Sequence, residues 1–97
     1  MAMPQQVIVL DGELTIQYAG SVKPLLAQAF SSAAPAAPVL DLSGVTDMDG
    51  AGLQLLLAFA QAVARAGGQL TLQGVPAVVA AVLERYRVAD QFAGVAP

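Results

Sequence analysis

Residues 40–57 read LDLSGVTDMDGAGLQLLL. A short apolar strand, Pro38-Val39-Leu40-Asp41-Leu42, leads into a tight turn of acidic and glycine residues, and that turn opens a strongly apolar helix. Strand, turn and helix in this order form the repeating joint of α/β domains. A helix start leaves backbone N–H groups unpaired, and the helix dipole makes them attractive to an anion. The turn is therefore where a ligand, a phosphate or a partner is expected to dock.

Working outward, Val7-Ile8-Val9-Leu10 is a continuous apolar run with β-branched bias and reads as a buried strand. Asp11-Gly12 follows, and Leu14, Ile16 and Tyr18 alternate with Thr15 and Gln17. That pattern fits either a hairpin with a type I′ turn at Asp-Gly or one strand interrupted by a glycine bulge. Val22, Leu25, Leu26, Ala29 and Phe30 then follow the spacing of an amphipathic helix starting near Ser21, with Pro24 in its first turn. Ser31 to Pro38 reads as a connector, its two prolines forbidding helix continuation.

Beyond the turn, Leu53, Leu56, Leu57, Ala60, Val63 and Ala64 fall on one helical face, and Gly67-Gly68 supplies a stop. Gln54, Ala58, Gln61 and Arg65 form the opposite stripe, with Leu55 on its flank as surplus apolar surface. Gln69 to Gln73 alternates like a half-buried strand. A last helix opens at Gly74-Val75-Pro76, with Val78, Val79, Val82, Leu83 and Tyr86 as its apolar stripe and Arg85 and Arg87 near its end. Phe92 is expected to fold back and anchor the tail. Alternating strands and helices predict one α/β domain over residues 1–97, with parallel crossovers.

Composition narrows the chemistry. The chain has 97 residues, no Cys and no His, so disulfides, thiolate metal sites and imidazole proton shuttles are excluded. A hydrophobic content of 57% with only 11% charged residues argues for a packed domain. Net charge is −3, and the four basic residues, Lys23, Arg65, Arg85 and Arg87, form no cluster suited to nucleic acid or anionic lipid. The N-terminus has no basic start before its apolar run, and Gln54, Gln61 and Arg65 interrupt the most apolar helix. The expectation is a cytoplasmic protein with no direct membrane insertion.

The candidate site is the turn. Asp49 stands one residue before Gly50-Ala51-Gly52 and is placed to cap the following helix. Gly50 and Gly52 either permit tight packing or leave the helix start bare for a partner. The stretch lacks the Lys and Ser/Thr of a nucleotide-hydrolysing loop. Asp41, Asp47 and Asp49 could be imagined around Mg²⁺, but the pattern reads better with Asp41 ending a strand and Asp47 solvated on the loop. No pattern places one carboxylate in an apolar pocket as general acid–base catalysis requires, so no enzyme, metal or cofactor is expected.

The order VLDLSGVTDMDGAGLQLLL, then AGGQLTLQGVPAVVAAVLERYRV, with GELTIQYAGSVKPLL upstream, closely resembles the STAS domain family of sulfate-transporter and anti-sigma-antagonist domains. The resemblance runs from about Val7 to Phe92. It implies a mixed β-sheet of about four strands with three main helices packed mainly on one side, and a strand closing at Gly12-Glu13-Leu14 rather than a hairpin. Stand-alone bacterial members of this kind are anti-sigma factor antagonists that bind a histidine-kinase-like anti-sigma factor. Phosphorylation of a Ser or Thr directly after the turn Asp breaks that complex. Asp49 matches the family Asp, and Gly50 takes the acceptor position without a hydroxyl; Ser43 and Thr46 do not match that slot. The resemblance thus implies partner contacts at Asp49, Gly50, Ala51, Gly52, Gln54 and Leu55. Other branches with similar turns imply a STAS adaptor subunit of an Mla-like phospholipid ABC transporter or of a chemotaxis signalling complex. A weak nucleotide-binding module is a further alternative.

Overall fold

The computed structural model describes residues 7–18, 20, 24 and 38–97. Its elements are β1 (Val7–Leu14), β2 (Val39–Met48), α1 (Gly50–Arg65), β3 (Thr71–Gln73), α2 (Ala77–Tyr86), a 3-10 turn (Ala89–Gln91) and β4 (Gly94–Val95). The strands form one sheet in the order β1-β2-β3-β4, and each described pairing is parallel. Spatial order equals chain order among the described strands. α1 packs on β1 and β2, and α2 on β2. The α/β sheet expected from the sequence is present. The helix expected over Val22 to Phe30 and most of the connector after it lie outside the described residues.

Asp11-Gly12 makes no hairpin. β1 runs straight through it, with Gly12 in the left-handed region at φ 77° where the ladder shifts register. Leu14 closes the strand, and Ile16 and Tyr18 belong to a turn in which the Tyr18 N–H donates to the Thr15 carbonyl at 2.9 Å. The bulge reading is therefore correct.

β2 is longer than the expected Pro38–Leu42 strand. It continues for six residues past Leu42 to Met48, and the connection to α1 shrinks to Asp49 alone. The reason lies in the register. Val9 pairs with Asp41 and Asp11 with Gly44, then Gly12 pairs with Val45 and Glu13 with Asp47, so β2 gains one residue on β1 at each step. These two bulges break period-two alternation: Leu40, Leu42, Val45 and Met48 are all buried, but with uneven spacing. A strand without alternation reads as a loop.

The core is built from Leu10 and Leu14 of β1, Leu40, Leu42 and Val45 of β2, Leu53, Leu56, Phe59 and Val63 of α1, Leu72 of β3, and Val79 and Leu83 of α2. Phe59 joins it although the expected apolar face omitted it. Several expected core positions lie further out: of the Val7–Leu10 run read as buried, only Leu10 is buried while Val7 and Val9 face solvent, and Leu57, Val78 and Val82 are half-buried, Ala64 exposed and Tyr86 55% exposed. The helix ends as anticipated. Gly67 N–H donates to the Ala64 carbonyl and Gly68 N–H to the Val63 carbonyl, at 3.0 and 2.9 Å, with Gly67 at φ 86°. α2 ends in the same pattern, but its left-handed residue is Arg87 at φ 53°.

Phe92 is buried and anchors the tail. From there the chain adds β4 beside β3, with Ala93 N–H donating to the Leu70 carbonyl at 2.7 Å and Ala96 N–H to the Leu72 carbonyl at 2.9 Å. No helix of the described residues is long and apolar enough to cross a membrane.

Candidate functional site: the Asp49 turn

The C-terminal ends of β1 and β2 meet the N-terminus of α1 at Asp49. Its extended backbone (φ −120°, ψ −170°) turns the chain from strand into helix. One carboxylate oxygen, Oδ1, accepts from the N–H groups of Ala51 at 2.9 Å and Gly52 at 3.2 Å. The other, Oδ2, accepts from the Ile16 N–H at 3.0 Å. Asp49 also donates its own N–H to the Leu14 carbonyl at 3.2 Å and accepts the Leu53 N–H on its carbonyl at 3.0 Å. One residue thus caps α1 and clamps the turn after β1 to it.

These bonds favour the charged carboxylate. The Ile16 N–H is the largest influence lowering the Asp49 pKa, joined by those of Gly52 and Ala51 against a partial desolvation that raises it. The cap also changes what the helix start offers. Two of its N–H groups already face a carboxylate, so an incoming anion would meet negative charge there.

The two glycines of the turn have opposite surroundings. A Cβ on Gly52 would collide with the Leu14 carbonyl oxygen and stand 2.9 Å from its carbon, so this residue must be Gly for α1 to seat on β1. Gly52 is buried and is not part of the outer surface. Gly50 is exposed, and a Cβ there would have no atom within 4 Å. Gln54, one turn along, is also exposed, while Ala51 and Leu55 are half-buried and Leu55 packs against the core. Of the residues anticipated in contact with a partner, Gly50 and Gln54 face outward, Ala51 and Leu55 are partly accessible, and Asp49 and Gly52 build the turn.

Asp41 and Asp47 do not join Asp49. Asp41 lies inside β2 rather than at its end, and accepts from the Ser43 N–H at 2.9 Å, the Ser43 hydroxyl at 2.6 Å and Gln73 Nε2 at 3.4 Å. The Ser43 hydroxyl is the largest cause lowering its pKa. Asp47 belongs to β2 as well, not to a loop, and accepts from the Met48 N–H at 2.9 Å. No group of three or more potential metal ligands occurs among the described residues.

The residues that sequence reasoning missed are Leu14 and Ile16. Their backbone groups hold Asp49 across a separation of 33 residues for Ile16, and backbone donors leave no mark in residue identity.

A comparison with curated proteins finds no sequence match. Among solved structures, the chain is similar to a sulfate transporter family protein from Wolinella succinogenes (TM-score 0.76, 19% identity, covering 98% of this chain and 80% of that one). It is also similar to a protein from Thermotoga maritima assigned as an anti-sigma factor antagonist (TM-score 0.74, 20% identity, 99% and 83% covered). A third is the anti-sigma factor antagonist SpoIIAA in its unphosphorylated form (TM-score 0.64, 20% identity, 87% and 77% covered). At these identities the likeness establishes the fold. A family model described as "Mlab, STAS domain" matches residues 2–95, nearly the whole chain, and the protein belongs to the STAS domain family.

Proposed function

We propose that this chain is a non-enzymatic, protein-binding regulatory module of the anti-sigma factor antagonist type, docking through the Asp49 turn and the first turns of α1. The observation that carries the reading is the contrast between its two glycines. Gly52 is needed for packing, whereas a Cβ on Gly50 would meet no atom within 4 Å and nothing in the packing demands glycine there. At the position where resembling proteins carry a phosphorylated hydroxyl, this chain presents bare backbone on a rigid cap. Without that hydroxyl, phosphorylation cannot place charge at residue 50, and the module stays competent to bind. The contact comprises Gly50, Ala51, Gln54 and Leu55, with Asp49 and Gly52 fixing the geometry.

The partner on this reading is a histidine-kinase-like anti-sigma factor. A second reading is favoured by the family description itself: a STAS adaptor subunit of an Mla-like phospholipid ABC transporter, using the same surface permanently. The nucleotide reading is the weakest, because the Asp49 carboxylate already occupies the helix start.

Affinity capture of the tagged full chain from its own cells, beside a Gly50→Glu control, separates these readings. Recovery of a histidine-kinase-like ATPase that is lost in the control supports the antagonist. Recovery of transporter or chemosensory components supports an adaptor. Capture undiminished by Gly50→Glu refutes the turn as the docking surface.

A further inference from the structure

Ile16 and Tyr18 are 75% and 45% exposed, yet the turn that carries them is closed on itself and tied to Asp49. The Ile16 N–H is fixed on Asp49 and the Tyr18 N–H on Thr15, so neither apolar side chain stands on a loose loop. Exposed apolar surface on a rigid backbone loses little freedom on being covered, which favours its use as a contact.

Among the described residues, the charges near this pair are acidic. Glu13 and Asp47 are register neighbours on adjacent strands, both exposed, and neither has an ion-pair partner among the described residues. Asp11 lies two residues before Glu13 on the same strand, also exposed. Of the four basic residues, Arg65, Arg85 and Arg87 stand at the ends of α1 and α2, and Lys23 lies outside the described residues. Because the helices run back against parallel strands, those ends lie at the opposite pole from the Asp49 turn.

We infer that Ile16 and Tyr18 are the apolar centre of the docking surface, that Glu13 and Asp47 are its acidic rim, and that the surface fits a protein partner presenting Arg or Lys around an apolar contact. This rests on the docking turn proposed above and names the chemistry of its partner. A basic rim on the partner meets Glu13 and Asp47 with opposite charge, which favours the complex.

The test titrates the ¹⁵N-labelled full chain with a peptide alternating Leu and Arg, and separately with its Leu and Glu counterpart. The Leu/Arg peptide is expected to shift the amides of Ile16 to Tyr18 and of Gly50 to Gln54, and to weaken about tenfold in high salt. The Glu13→Gln/Asp47→Asn double variant should bind about tenfold more weakly while melting no lower than the parent. Glu84→Gln/Asp90→Asn removes equal charge at the opposite pole and should change binding less than about twofold. Equal binding of both peptides, shifts confined to other residues, or no shift at millimolar peptide each overturn the inference. So does concentration-dependent sedimentation of the chain alone, which would assign the patch to the basic pole of a second copy. If Gly50→Glu abolishes peptide binding while the double variant binds as the parent, the turn survives and the charge assignment fails. If Gly50→Glu binds normally while the double variant is weakened, the rim stands and the proposed contact at Gly50 fails.

Discussion

Replacing Gly52 by Ala tests the geometry of the site more sharply than any other single change. The added Cβ falls on the Leu14 carbonyl oxygen, where ordinary carbon–oxygen approach is about 3.3 Å, and it stands 2.9 Å from both the carbonyl carbon and Cβ of Leu14. Two of those three atoms are backbone of a buried strand end, so no side-chain rotation relieves the overlap. Either α1 withdraws by roughly 1 Å or β1 bends, and overpacking of this kind costs about 1–3 kcal/mol. Withdrawal also breaks the Asp49 N–H to Leu14 carbonyl bond, worth about 1 kcal/mol. Against this stands the better helix propensity of Ala, at most about 1 kcal/mol. The net loss is about 2 kcal/mol, which lowers the Tm of a domain this size by roughly 8–16 °C. Gly50→Ala is the matched control, because the same propensity gain meets no atom within 4 Å. It should raise Tm, by up to about 8 °C. Thermal and urea melts followed by circular dichroism read both. A Gly52→Ala variant melting at or above the parent would refute the close approach of α1 to β1 on which the site depends.

Acidification should unfold the protein partly through Asp49 and Asp41. Both carboxylates are held below the usual range, so their contribution is full above about pH 4 and is lost as pH falls through their folded pKa values. Asp49→Asn, which turns an amide donor or an uncharged oxygen toward Ile16, should melt lower at pH 7 and lose less stability between pH 5 and pH 2, measured by urea titration at each pH. Arg87→Gly relieves a left-handed φ of 53° and should stabilise by about 1 kcal/mol, read as a Tm rise of roughly 4–8 °C. Phe92→Ala empties a buried anchor at a cost of about 3 kcal/mol or more, and amide hydrogen exchange at Ala93 and Ala96 should rise as β4 detaches.

The sequence by itself determined the elements whose signals are local. The span of α1, its Asp49 cap and its Gly67-Gly68 stop are each written within a few neighbouring residues and stand where they were expected, and Leu70 and Leu72 are both buried as their alternation implies, although β3 itself is shorter than the expected strand and begins only at Thr71. The motif order likewise pointed to the STAS family. Features that depend on contact between distant segments were decided only in three dimensions. β2 extends through Ser43 to Met48 because β1 lies beside it and two bulges absorb the mismatch, a relation invisible when β2 is read alone. β4 is two residues long and exists because β3 offers a free edge. The two glycines of the turn look alike in sequence and differ entirely in role, since only the folded chain brings the Leu14 carbonyl over Gly52 and leaves Gly50 open. Local chemistry sets which residues can turn, cap or alternate. Tertiary packing decides which backbone atoms meet, and the Asp49 clamp on Ile16 is made from those.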